Sequence, residues 1–202
     1  MKLLVNVMHS AVIGLGLAAA LTACIRPAEA GIREEAMDKK ILVVYFSCSK
    51  TTEALAEYAA DILNADIYEI VAEEPYTEAD LAYYTGGRAD KEQDDPSAHP
   101  RISGKVENMD RYDTILLGYP IWHGQAPRII STFLESYDFS GKAILPFCTS
   151  HSSGIGSSAE NLHSLCPDSV KWMDGTRFEA GTSKMEIREW VESQLGGSTH
   201  ER

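Results

Sequence analysis

The chain has 202 residues, 44% apolar and 24% charged, with 15 glycines and 8 prolines. That length and balance suit one domain with a full core and exclude collagen-like and low-complexity architectures. Eighteen Lys and Arg against 30 Asp and Glu give a net charge of −12, so the basic footprint of a nucleic-acid-binding surface is missing. Met1 to Ala30 reads as an export signal. Lys2 opens it, and Ala11 to Leu21 is an apolar run too short to span a bilayer but suited to a signal-peptide core. Two cleavage readings stay open. Leu21-Thr22-Ala23-Cys24 resembles a lipobox, with Cys24 lipidated and anchoring the chain to a membrane. Ala28-Glu29-Ala30 fits an ordinary secretory site, which gives a secreted or periplasmic protein. Residues 31–39 form a polar tether, and the fold occupies 40–196, followed by a frayed tail at 197–202.

Ile41 to Phe46 is a continuous apolar, β-branched run, the mark of a strand buried on both faces. Leu55, Tyr58, Ala59 and Ile62 place a helix over Thr52 to Asn64. Asp66 to Val71 alternates like a strand nearer a sheet edge. Residues 72–110 are acidic and Pro-punctuated, and read as a long loop with a short helix at Glu78 to Tyr84. Thr114 to Tyr119 and Ala143 to Phe147 are two more buried strands, with a helix from Pro127 between them. Ser157 to Leu165 predicts a helix, and Val170 to Met173 a last strand. Ser183-Lys184-Met185-Glu186 is a capping box that opens a final helix. Alternating β and α with buried strands implies a parallel sheet covered on both faces.

In such sheets ligands bind beyond the carboxyl ends of the strands. Three loops lie there. Ser47, Cys48, Ser49, Lys50, Thr51 and Thr52 lead into a helix N-terminus, where amides and hydroxyls form an anion cradle. The same helix end lowers the Cys48 thiol pKa in this reading. Gly118 to Pro127 sets Trp122 between two prolines, exposed, as a stacking wall for a flat aromatic ring. Thr149, Ser150, His151, Gly154, Ile155 and Gly156 come from a loop whose backbone can approach a ligand closely. Together they describe a phosphate seat, a ring wall and a hydrogen-bonding edge, without a G-x-G-x-x-G dinucleotide fingerprint. Cys48, Cys148 and Cys166 allow at most one internal disulfide. No metal-ligand spacing and no G-x-S-x-G nucleophile elbow occur.

At these residues the chain resembles the flavodoxins, specifically flavodoxin-like proteins with a P-I-W motif after the third strand, over Lys40 to Leu195. The resemblance implies a doubly wound, three-layer α/β sandwich with a five-stranded parallel sheet in the order 2-1-3-4-5. It implies FMN as cofactor: its phosphate on Ser47, Ser49, Thr52 and the backbone from Cys48 to Thr52, its ring along Pro120, Ile121 and Trp122. His123 stands where the family more often has an aromatic or small residue, and Lys50 replaces the family's glycine. Thr149, Ser150, His151 and the 154–156 segment match the loop over the ring's polar edge, and 72–110 replaces or reshapes the second helix. The function implied is an electron carrier that meets redox partner proteins, exported by the signal at residues 1–30; the acidic net charge either lowers the flavin's reduction potential or serves solubility alone. Two alternatives remain: an FMN-dependent NAD(P)H:quinone or flavin oxidoreductase, with His151 or Tyr84 assisting proton transfer, and a non-redox flavin-binding lipoprotein.

Overall fold

The structure is a computed structural model that describes residues 40–196; the export segment with Cys24, the tether and the tail lie outside the described residues. Six strands build the main sheet. Strand β1 (Ile41–Tyr45) leads into helix α1 (Thr51–Leu63), which returns the chain to β2 (Asp66–Glu69). β3 (Val71–Ala72) follows at once, then helices α2 (Glu78–Leu81) and α3 (Arg88–Asp94), and β4 (Ile102–Ser103). β5 (Thr114–Pro120), α4 (Arg128–Glu135) and β6 (Ala143–Thr149) complete the middle of the fold. β7 (Lys171–Trp172), β8 (Thr176–Phe178) and α5 (Lys184–Leu195) close it.

The sheet order is β2-β1-β5-β6-β7, with β8 also pairing β6, and every pairing in it is parallel. Counting β7 and β8 as two halves of one broken strand, this is the expected order 2-1-3-4-5. The break has a chemical cause. Met173 donates its N–H to the Ile144 carbonyl at 2.9 Å, so alternate β6 residues turn their amides toward the fifth strand. Pro146, two residues on, has its missing donor on that side, and the ladder stops there and restarts at Phe147↔Thr176.

Strand parity makes three layers. Leu42, Val44 and Phe46 share one apolar cluster with Ile115, Leu117 and Ile144, covered by Ile129, Ile130 and Phe133 of α4. Val43, Tyr45, Leu116 and Phe147 face the other way, against Leu55 and Ala59 of α1 and Ile187 and Val191 of α5. Each fully buried side chain of this kind contributes about 1.5–3 kcal/mol. At Gly118 the two sheet neighbours are so close that a Cβ would lie 2.3 Å from the Phe147 ring.

Two expectations are corrected. Residues 157–165 form two 3-10 turns, Gly156–Ser158 and Glu160–Leu165, rather than an α-helix. Their serines and asparagine are poor helix formers, and Pro167 follows directly. The 72–110 stretch is not mainly loop: it holds α2, α3 and the antiparallel β3-β4 pair. Its first helix ends at Leu81, short of Tyr84, which takes a left-handed backbone (φ 56°). Among the described residues no helix is long and apolar enough to cross a membrane.

Candidate ligand-binding cleft

The carboxyl ends of β1, β5 and β6 deliver the three expected loops to one place. Ser49 and Thr51, Pro120 to Trp122, and Thr149 to His151 line a common cleft of about 580 Å³. Tyr83, Glu179 and Ala180 complete its walls.

The first loop is built for an anion. Lys50 takes a left-handed backbone (φ 63°) at the start of α1, and no side chain caps that helix. The first amides of α1 therefore have no helical partner and stay free for a ligand. Ser47 Oγ is buried without a hydrogen-bond partner, an arrangement that costs stability unless a ligand supplies one. The Lys50 ammonium stands in solvent, 3.8 Å from Glu53. Thr52 departs from its expected role: it is 1% exposed, and its hydroxyl bonds Thr149 Oγ1 at 2.8 Å. It ties the start of α1 to the end of β6 instead of facing the cleft. Cys48 departs too. Although the residue is exposed by surface area, crowding by protein atoms pushes its thiol up to about 11, against the lowering effect of Arg88. Cys48, Cys148 and Cys166 are all free.

In the second loop Trp122 is only 9% exposed, not the open wall the sequence suggests. Phe46 and Tyr76 meet its ring edge-on at 5.5 and 5.2 Å, which fixes the indole while it still borders the cleft. The chain then reverses. Trp122 and Gln125 exchange both backbone hydrogen bonds at 2.9 Å around His123 (φ 49°) and Gly124 (φ 76°). Positive φ at both central residues makes a tight hairpin turn that needs glycine second and tolerates histidine first. The His123 ring stacks on Tyr83 at 4.8 Å with a 7° tilt, and the His123 backbone N–H donates to the Tyr83 hydroxyl at 3.0 Å. Its Nε2 lies 2.8 Å from Asp90 Oδ1, and Asp90 Oδ2 accepts from the Gly86 N–H. Burial alone would push the Asp90 carboxyl up, but the Gly86 amide, His123 and the Tyr84 amide together hold it below the ordinary range.

α3 carries a second clamp. The Gln93 amide donates to the Trp122 and Ala126 carbonyls at 3.1 and 3.2 Å and accepts from the Arg128 N–H at 3.0 Å. The 72–110 insertion is thus the scaffold that holds the Trp122 turn.

The third loop divides. Thr149, Ser150 and His151 line the cleft. Gly154, Ile155 and Gly156 are not among its lining residues. Ile155 instead packs over the β7–β8 break, where a Cβ on Gly175 would lie 2.5 Å from its Cδ1. Arg177 of β8 braces this loop, donating to Ser150 Oγ at 3.1 Å, to the His151 carbonyl at 2.9 Å and to Glu179 at 2.7 Å. Tyr84 is largely exposed and does not line the cleft, whereas His151 does. Tyr83, Arg177 and Glu179 carry no motif in the sequence; only the fold brings them here. Among the described residues no three His, Cys, Asp or Glu side chains gather as metal ligands.

Fold and cleft together define a doubly wound α/β protein whose site joins an anion cradle to a ring-sized slot at the strand ends. The chain belongs to the flavodoxin family, whose profile matches residues 40–194. It is similar to a candidate flavoprotein of Bacteroides eggerthii, 39% identical over 78% of this chain and 98% of that one, with a TM-score of 0.72. A candidate flavoprotein of Bacteroides uniformis is 37% identical over 76% and 98%, also with a TM-score of 0.72. A Lactobacillus acidophilus flavoprotein solved in complex with FMN shares the fold at 24% identity, over 76% and 99%, with a TM-score of 0.57. No curated protein matches significantly.

Proposed function

We propose that the protein binds FMN and carries electrons as an exported flavodoxin. One observation supports this more than any other: the uncapped start of α1 and the Trp122 indole border the same cavity. The residues present fit the group. The buried, unpartnered Ser47 hydroxyl and the free α1 amides suit a phosphate, while Trp122 and Tyr83 supply aromatic walls. The FMN complex of the Lactobacillus acidophilus relative supports the same choice.

Bound FMN supplies reversible one- and two-electron chemistry. The protein's own part is to bind, orient and tune. Ser47, Ser49 and the amides from Cys48 to Thr52 hold the phosphate, and Lys50 adds positive charge at longer range. Trp122, fixed by Phe46 and Tyr76, backs the ring. Arg177 holds the Ser150 and His151 backbone in the cleft wall, where these residues would meet the polar edge of a bound ring. Glu179 in the cleft wall, with an overall charge of −12, resists added negative charge and lowers the reduction potential. Glu179→Gln raises that potential in a redox titration; an unchanged value refutes the electrostatic part.

Export follows from the sequence of residues 1–30, with either a lipid anchor at Cys24 or cleavage after Ala30. Mass spectrometry of the mature N-terminus decides between these, and an intact Met1 in the exported fraction refutes both. NADH or NADPH consumption by the FMN-loaded protein separates carrier from oxidoreductase. A carrier shows no steady turnover without a partner protein, and sustained turnover assigns the protein to the enzyme class.

A further inference from the structure

Behind Trp122 lies a smaller recess of about 120 Å³, lined by Cys48, Leu81, Tyr83, Asp90, Trp122 and His123. It sits between the first loop, the Trp122 turn and the 72–110 insertion, and shares Ser49, Tyr83, Pro120 and Trp122 with the main cleft. Its volume is that of about four water molecules, room for one substituted six-membered ring. The walls are of two kinds. Leu81, Trp122 and Tyr83 offer apolar and aromatic faces, while Asp90 and His123 place a carboxylate and an imidazole at one side. Convergent polar groups in an apolar recess are the general form of a small-molecule site.

Asp90 is the unusual member. It is 7% exposed and held ionised by its neighbours, a costly thing to bury. Anchoring the insertion does not need it, because Gln93 already joins α3 to the Trp122 turn through three hydrogen bonds. A carboxylate has about four acceptor positions. The Gly86 amide, His123 and the Tyr84 amide engage three, which leaves one accepting position at the recess wall. Backbone strain collects here as well: Tyr84 and His123 both hold positive φ and meet edge-to-face at 5.1 Å.

We infer that this recess is a second ligand site, for a small planar ring bearing a hydrogen-bond donor that Asp90 accepts. The amide of a nicotinamide and the hydroxyl of a hydroquinone share that chemistry. The site itself needs no flavin; only its standing as a neighbour of the FMN cleft, with which it shares Ser49, Tyr83, Pro120 and Trp122, rests on the FMN reading above.

The test is a titration of the protein, with and without FMN, by nicotinamide and separately by 1,4-hydroquinone, followed in amide NMR spectra. At least one probe shifts the Gly86 and His123 amides saturably in both forms, and the tighter probe identifies the source. Asp90→Asn weakens that binding about tenfold or more. Leu81→Trp fills the recess without touching the Asp90 hydrogen bonds, abolishes probe binding and leaves FMN affinity unchanged, and so decides the matter even if the Asp90 variant fails to fold. Absence of a saturable shift with both probes overturns the inference. So does binding that survives Leu81→Trp, or probe binding that FMN abolishes, since the recess would then be part of the FMN seat. Probe binding in a protein that takes up no FMN upholds the recess and overturns the flavin reading alone.

Discussion

Lys50 holds a left-handed backbone at φ 63° with its side chain in solvent. The family pattern has glycine there, and a side chain in that conformation costs about 1–2 kcal/mol, partly offset by the freedom glycine loses on folding. Lys50→Gly is therefore expected to stabilise the protein by about 0.5–1 kcal/mol, seen as a melting point a few degrees higher. A lower melting point would show that Lys50 contributes something its exposure does not reveal. Cys48 gives a second residue-scale expectation. With its thiol pushed up to about 11 by crowding, alkylation of Cys48 is slow at pH 7 and its rate climbs only toward pH 11. Fast labelling at pH 7 would restore the redox role that its place at a helix start suggests. The helix rule was legible in the sequence; the crowding was not, because it comes from groups distant in the chain.

The long, periodic elements were readable in advance because their apolar spacing repeats often enough to be seen. β1, β5 and β6 are near-continuous apolar runs, and α4 buries Ile129, Ile130, Phe133 and Leu134 in a regular stripe. The insertion escaped because α3 spans seven residues and β3 and β4 two each, too short for any period to register. Its stability comes instead from tertiary hydrogen bonds, above all those of Gln93. Gln93→Ala leaves the Ala126 carbonyl and the Arg128 amide without this partner, while the Trp122 carbonyl keeps the Gln125 N–H, and is expected to cost about 2 kcal/mol in urea unfolding. A loss below about 0.5 kcal/mol would mean that α3 does not hold the turn. The site was legible in the same uneven way. Ser49, Trp122 and Ser150 announce themselves by lying after buried strands. Tyr83 and Glu179 reach the cleft from segments whose sequence carries no such mark, and the 154–156 segment leaves it because Ile155 finds an apolar partner elsewhere.

At the scale of the whole molecule, titration sets the working range. Burial pushes Cys148 and Tyr45 up to about 12, and Cys166 to about 11, from ordinary values of 9.0 for cysteine and 10.0 for tyrosine. Above pH 9 the folded state keeps protons that the unfolded state releases, so stability falls as pH rises from about 9 toward 12. Asp66, bonded by Tyr112 and Arg111, and Asp61, bonded by Lys184, are held below the ordinary 3.8. The unfolded state binds the extra protons there, so their contribution is present above pH 3.8 and is lost as the pH drops below it. Chemical unfolding across pH is expected to give a plateau between about 4 and 9; stability still rising at pH 10 would contradict the burial of these thiols. Function at this scale depends on whether the cleft takes a phosphate and a flavin ring together. Calorimetric titration of the flavin-free protein with FMN and, in parallel, with riboflavin measures this. One FMN per chain, held about a hundredfold more tightly than riboflavin, is the expected result; equal affinities, or no binding of either, would mean that the α1 start is not a phosphate seat and that the flavin reading fails.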